Sequence, residues 1–298
     1  MGLIARQSFK AASVTYIGVV LGILNQIFLY PLFLTIEEFG EIQFVLQTVG
    51  LFTPFLLLGV ASVFVKYYPN YSIAKEGARD LYGLGFLVVF INTFLFLGVY
   101  LLFETEIASY YCDSSGVSRL TISILFLIAA TLPAQALLRT IASLHGRISI
   151  PSVLQQLIKV VLPLLCLFYY VEYLTFNAVL YYILAYYIVL LVLYVVYVRS
   201  LDGLHFTWSP KRIVSNLEVK PMMVFGAFSL LSGIGVALTN QIDVVMITAL
   251  KGTFQNGLYS WALFIAGAIA IPYTMISTIS LPMISKYWKE KEYQSIDD

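Results

Sequence analysis

The chain has 298 residues, of which 60% are hydrophobic and only 11% charged, with a mean hydropathy of +0.88. A soluble domain of this length has too little interior to hide so much apolar surface, so the chain belongs in a bilayer. Its 17 basic and 16 acidic residues nearly cancel, which leaves no electrostatic footprint for nucleic acid. Cys112 and Cys166 have neither metal-ligand spacing nor a disulfide framework, and free thiols are expected. No GxxxxGK[ST] segment occurs, and nothing in the sequence asks for a cofactor.

A hydrocarbon core of about 30 Å needs roughly 20 apolar residues per helix. That ruler marks eight segments, near 13–34, 41–65, 82–103, 120–143, 151–171, 176–198, 222–250 and 258–285. Barrel strands would be far shorter, so an all-α polytopic bundle is predicted. Helical spacing then places small or polar residues on one face of five of these spans. The first has Gly18, Gly22 and Asn25, and the second Gln43, Gln47, Gly50 and Pro54. On the fourth lie Thr131, Gln135, Arg139 and Ser143. Along the fifth run Ser152, Gln155, Gln156, Lys159, Pro163 and Cys166. The seventh carries Ser232, Gly235, Thr239 and Asp243, with Asn240 a turn before Asp243. Gly, Ser and Thr at such positions usually serve close helix packing. Prolines within or near the spans loosen them, which suits helices that bend.

Lys159 and Asp243 are harder to explain by packing. A charge near mid-bilayer costs about 2.5–3.5 kcal/mol even on insertion scales, and calls for a partner or water. Either the two pair with each other, or Lys159 faces a cavity and Asp243 binds an exchangeable proton or Na⁺. Arg139 and His145 lie closer to a membrane face and can snorkel.

The loops give a direction. Lys159 is within a span, Arg119 and Lys251 flank one side, and the other fourteen basic residues fall opposite. Both termini are therefore expected in the cytoplasm, with short acidic turns such as "TIEEFGE" and "FETEIASYYCDSSGVS" outside. The first helix is expected to direct insertion. Asn25-Gln26-Ile27 recurs as Asn240-Gln241-Ile242, and the agreement extends downstream: Gly40 and Gly257, Pro54 and Pro272, then "VKYYP" and "SKYWK". This points to a parallel repeat. The expected organisation is a lobe of six helices over 1–198, a cytoplasmic linker over 199–221 on the membrane surface, and the first two helices of an incomplete second lobe over 222–298.

The stretches "FKAASVTYIGVVLGILNQIFLYPLFLTIEEFGEIQF", "SLHGRISIPSVLQQLIKVVLPLL" and "NQIDVVMITALKGTFQNGLYSW" resemble the bacterial Wzx-like polysaccharide-biosynthesis flippases of the multidrug/oligosaccharidyl-lipid/polysaccharide exporter superfamily. The resemblance covers all eight spans. It implies two six-helix lobes in a V around a central cavity, as in the related multidrug exporters. It also implies transfer of an undecaprenyl-diphosphate-linked oligosaccharide between leaflets of the bacterial inner membrane. It places cations in the cavity of the first lobe, where Lys159 and Arg139 match, with Asn25, Gln155 and Gln156 as further substrate contacts. Asp243, with Asn240 and Thr239, stands where an ion-coupling acid is expected. Alternatives are a multidrug or cation antiporter, a membrane glycan ligase or polymerase, and a non-transporting fragment or scaffold. The partners implied are the lipid-linked sugar, membrane lipid and a coupling ion, H⁺ or Na⁺.

Overall fold

A computed structural model describes residues 3–71, 75–201, 210–267 and 269. Among the described residues the regular structure is entirely helical, as the composition predicts. Seven stretches are long and apolar enough to cross a membrane: Ala12–Phe33, Ile36–Leu57, Gly77–Leu102, Arg119–Leu144, Ser149–Tyr170, Phe176–Ser200 and Val219–Lys251. They coincide with the first seven expected spans. The eighth is helical where it is described, and residues 270–285 lie outside the described residues.

The first span is α1 (Leu3–Leu24), a π-helical turn (Asn25–Leu29) and α2 (Tyr30–Phe33). Pro31 has no N–H for the carbonyl four residues back, and the wider turn lies where the ordinary helical ladder fails. The second span opens on a capping box, in which Thr35 N–H donates to Glu38 Oε2 (2.9 Å) and Glu38 N–H donates to Thr35 Oγ1 (3.3 Å). The second expected span, 41–65, is in fact two helices, α3 (Ile36–Leu57) and α4 (Val60–Tyr71). They are separated at Leu58 and Gly59, both with positive φ. Only glycine fits the second position, because a Cβ on Gly59 would stand 2.2 Å from the Gly226 carbonyl oxygen.

After α5 (Lys75–Leu102) the expected acidic turn is instead a helix, α6 (Glu104–Ser115). Glu104 and Glu106 sit at its positive end and Gly116, at φ 70, closes it. Next, α7 (Arg119–Leu144) runs through the middle of the bundle. One apolar cluster joins Phe39, Phe44, Ile124, Ile128 and Ile183, and a second joins Phe64, Leu81, Leu137, Ile141 and Tyr194. The fifth span is also divided, into α8 (Ser149–Gln156) and α9 (Ile158–Tyr170), with Leu157 between them. The sixth is the continuous α10 (Phe176–Ser200).

Within the linker, α11 (Pro210–Asn216) packs on α5. Asp80 is wholly buried there, accepts from Asn216 Nδ2 (2.8 Å) and faces Arg212 Nε at 3.4 Å. Ile213 and Leu217 are buried beside it. The described part of the linker is therefore docked on the bundle, a contact that local amphipathicity does not reveal.

The next helix, α12 (Val219–Lys251), has 33 residues, or about 50 Å of helix. It crosses α4 at Gly59 and Gly226, and α3 at Pro54 and Gly233. Higher up, the amide of Gln241 covers Gly50, where a Cβ would meet Nε2 at 2.5 Å. Gly252 then turns the chain into a helix over 253–267, α13.

Asp80 generates the first prediction. Asp80→Ala removes the acceptor of the Asn216 amide and the anion facing Arg212, at a cost of about 1–3 kcal/mol for a hydrogen bond to a charged group. Limited trypsin digestion should then cut after Lys211 and Arg212 several-fold faster than in the native protein. An unchanged digestion rate would mean that Asp80 does not hold α11.

Candidate substrate cavity

The site begins with a missing N–H. Pro163 cannot donate to the carbonyl of Lys159, one turn back, and a freed carbonyl in hydrocarbon needs another donor. Asn25, buried in the first span, supplies it: its Nδ2 donates to Lys159 O at 2.5 Å. The small face of α1 makes room for this contact. A Cβ on Gly22 would stand 3.7 Å from Cδ, Cε and Nζ of Lys159, so the lysine stem lies along α1 above that glycine. One turn away, the Gln156 side chain occupies the space above Gly18, where a Cβ would stand only 2.2 Å from Oε1. The two faces expected from helical spacing, Gly18/Gly22/Asn25 and Gln156/Lys159, therefore meet.

Lys159 lines a cavity of about 490 Å³ bounded by the first span, α3, α9 and α13. Its polar lining comprises Lys159, Asn25, Gln26, Gln43, Gln47, Tyr30 and Ser260, and the lining residues include no carboxylate. Among the described residues no carboxylate lies within salt-bridge distance of Lys159 Nζ. Gln26, another lining residue, has a buried Oε1 that finds no donor among the described residues. A single cation with amides and two hydroxyl residues in the same lining can bind an anionic group and hydrogen-bond neutral hydroxyls around it.

The other candidate residues are placed differently. Asp243 does not pair with Lys159; its Oδ2 accepts from Tyr259 Oη at 2.8 Å, joining α12 to α13. Thr239 and Asn240 are exposed and turn back onto their own helix, donating to Gly235 O (2.9 Å) and Val236 O (2.7 Å). None of these three lines the cavity. Arg139 lies within electrostatic reach of Tyr194 on α10 and is likewise outside the lining. Gln155 is exposed. Sequence reasoning missed Gln26 and Ser260 as site residues, and had Gln43 and Gln47 only as a polar stripe. Gln26 adjoins Asn25, but nothing local announced that its acceptor would be left without a donor.

The Asn25 contact predicts a compensating pair. Asn25→Leu should cost about 1–3 kcal/mol by stranding the Lys159 carbonyl. Pro163→Ala restores the missing N–H, so Asn25→Leu should cost much less in that background. Thermal unfolding midpoints of the four proteins in detergent measure this coupling. Additive losses would show that the carbonyl has no such dependence on Asn25.

No curated protein and no solved structure matches this chain, whereas the family described as "Polysaccharide biosynthesis protein" matches residues 4–288. That match spans nearly the whole sequence and agrees with the helical, multi-span architecture. The chain belongs to the polysaccharide biosynthesis protein family of multi-pass membrane flippases.

Proposed function

We propose that the protein flips an undecaprenyl-diphosphate-linked oligosaccharide across the bacterial inner membrane for synthesis of a surface polysaccharide. The observation that carries this reading is the cavity around Lys159: one cation, several neutral amides and no carboxylate in its lining. A diphosphate needs a positive partner in a low-dielectric site, and the attached sugars need hydrogen-bonding groups that do not repel it. A cation exporter would need the opposite charge at this place. The polar groups arise from helices whose outer faces remain apolar, as a substrate with its tail in lipid requires.

In this reading Lys159 binds the diphosphate as a point charge, while Asn25 holds the lysine backbone and Gln156 supports α1 beside it. Both termini face the cytoplasm, and the spans before and after the linker belong to two lobes. Asp243 is the coupling group. Its bond to Tyr259 links α12 to α13, and a proton or Na⁺ on the carboxylate changes that link without altering the cavity lining.

Two substitutions test these roles. Lys159→Ala is expected to lower surface polysaccharide at least about tenfold with the protein still in the membrane, and Lys159→Arg to retain part of it. Normal polysaccharide from the Ala variant would overturn the binding role. Asp243→Asn can still hydrogen-bond Tyr259 but cannot take up and release a proton. It is expected to remain folded and to lose stimulation of flipping by an imposed ion gradient in proteoliposomes. A native response to the gradient would remove Asp243 from the coupling role.

A further inference from the structure

We infer that a cleft between the close of the first span and the α9–α10 turn binds uncharged sugar units of the transported glycan. It rests on the reading of this chain as a flippase for a sugar-bearing lipid, and it adds a site separate from the Lys159 cavity. The cleft lies at the end of the first span away from the amino terminus and has a volume of about 710 Å³, within the range of about 300–1,000 Å³ usual for small-ligand sites. It shares no lining residue with the Lys159 cavity.

Aromatic rings and polar groups line it together. Phe33 and Tyr170 have ring centroids 5.5 Å apart, and Tyr169 meets Phe176 edge to face at 6.0 Å. The polar lining is Thr35, Glu38, Glu172 and Thr175, of which Thr35 and Thr175 cap the starts of α3 and α10. Both oxygens of Glu38 are engaged: Oε2 accepts from the Thr35 N–H at 2.9 Å and Oε1 from the Tyr169 hydroxyl, which ties the end of α9 to the start of α3. Glu172 differs from it. It is exposed, and its carboxylate meets no donor among the described residues.

The backbone under Glu172 is unusual for that residue. At the end of α9, the Tyr173 N–H donates to Phe168 O and the Glu172 N–H to Tyr169 O, both at 3.0 Å, the two bonds of a Schellman motif. Glu172 occupies its left-handed position with φ 62, a conformation that glycine adopts freely and a glutamate only at a cost in stability. A glycine would close this helix better, yet the position carries a carboxylate in the lining of the cleft. Strain of this kind persists where the side chain has a task.

A sugar ring fits this combination. It has apolar C–H faces and a rim of hydroxyls. The exposed ring of Tyr170, paired with Phe33, offers a rigid apolar plate for the face, and the Glu172 carboxylate accepts from hydroxyl donors at the rim. Two carboxylates in the same lining repel a diphosphate, so phosphate and sugar are drawn to different places on the protein. They equally disfavour an anionic lipid headgroup, which separates the cleft from an ordinary belt of interfacial tyrosines. Nor does it suit a metal ion: the described residues contain no group of three or more His, Cys, Asp or Glu able to hold one, and Glu38 already accepts two hydrogen bonds.

The test titrates a repeat-unit oligosaccharide, cut from the surface polysaccharide of the cells that make the protein and free of lipid and phosphate, into the purified protein in nanodiscs. Saturation-transfer NMR follows the binding. The native protein is expected to bind it saturably. Tyr170→Ala should weaken binding about tenfold, the scale of one lost ring contact, and Tyr170→Phe should change it less than about twofold. Glu172→Gly removes the carboxylate while supplying the residue that the turn prefers. It is expected to raise the thermal unfolding midpoint and to weaken binding about tenfold, a loss that misfolding then does not explain. Absence of saturable binding by the native protein, or undiminished binding by either Tyr170→Ala or Glu172→Gly, would overturn the site. The probe lacks the diphosphate, so failure here and failure of the Lys159 reading are distinguishable.

Discussion

Within hydrocarbon there is no water to satisfy a carbonyl that a proline has released, and the surroundings of the cavity depend on how that need is met. Pro163 releases the carbonyl of Lys159, Asn25 takes it, and the first span is drawn against α9 with Gly22 beneath the lysine stem. The lysine thus lies between the interruption at Leu157 and the proline, where the helix depends on its neighbours for a donor. A charged side chain is thereby held in the wall of the cavity by a bond that its own charge does not make. Binding and positioning are separate jobs, performed by Lys159 and Asn25.

The bundle combines two kinds of packing. Around α7 the contacts are apolar and interdigitated, with Ile128, Leu137 and Ile141 fully buried, as in a core meant to stay shut. Between α3, α4 and the α12–α13 pair they run through Gly40, Gly50, Gly59, Gly226 and Gly257, with the Asn256 amide and the Phe39–Trp261 and Tyr67–Phe225 ring pairs also crossing the interface. Close backbone approach through small residues gives good dispersion contact between these helices.

Much of this was legible in the sequence. Continuous apolar runs gave the spans, and i, i+3, i+4 spacing put Gly18, Gly22 and Asn25 on one face and Gln156 and Lys159 on another. What spacing does not reveal is which face a stripe meets. Asp243 was a natural partner for Lys159 by charge, yet it bonds Tyr259, because the choice lies in the crossing of helices far apart in sequence. The breaks at Leu58–Gly59 and Leu157 were hidden for a different reason. At Leu58–Gly59 the apolar composition continues through the break, and the signal is steric, set by the Gly226 backbone approaching from another helix, whereas at Leu157 the flanking Gln155, Gln156 and Lys159 read as a helical stripe that shows no interruption. The packing of α11 on Asp80 depends likewise on a residue more than a hundred positions away.

The most direct test of the cavity's role is equilibrium binding of two lipids to the purified protein in nanodiscs. One is a polyprenyl-diphosphate-linked sugar, and the other the same sugar on a polyprenol without phosphate. The account predicts that the native protein prefers the diphosphate lipid by about tenfold or more, the scale of one charge-assisted contact, and that Lys159→Gln removes the preference while retaining the weaker binding of the neutral lipid. A preference that survives Lys159→Gln, or equal binding of both lipids by the native protein, would contradict it.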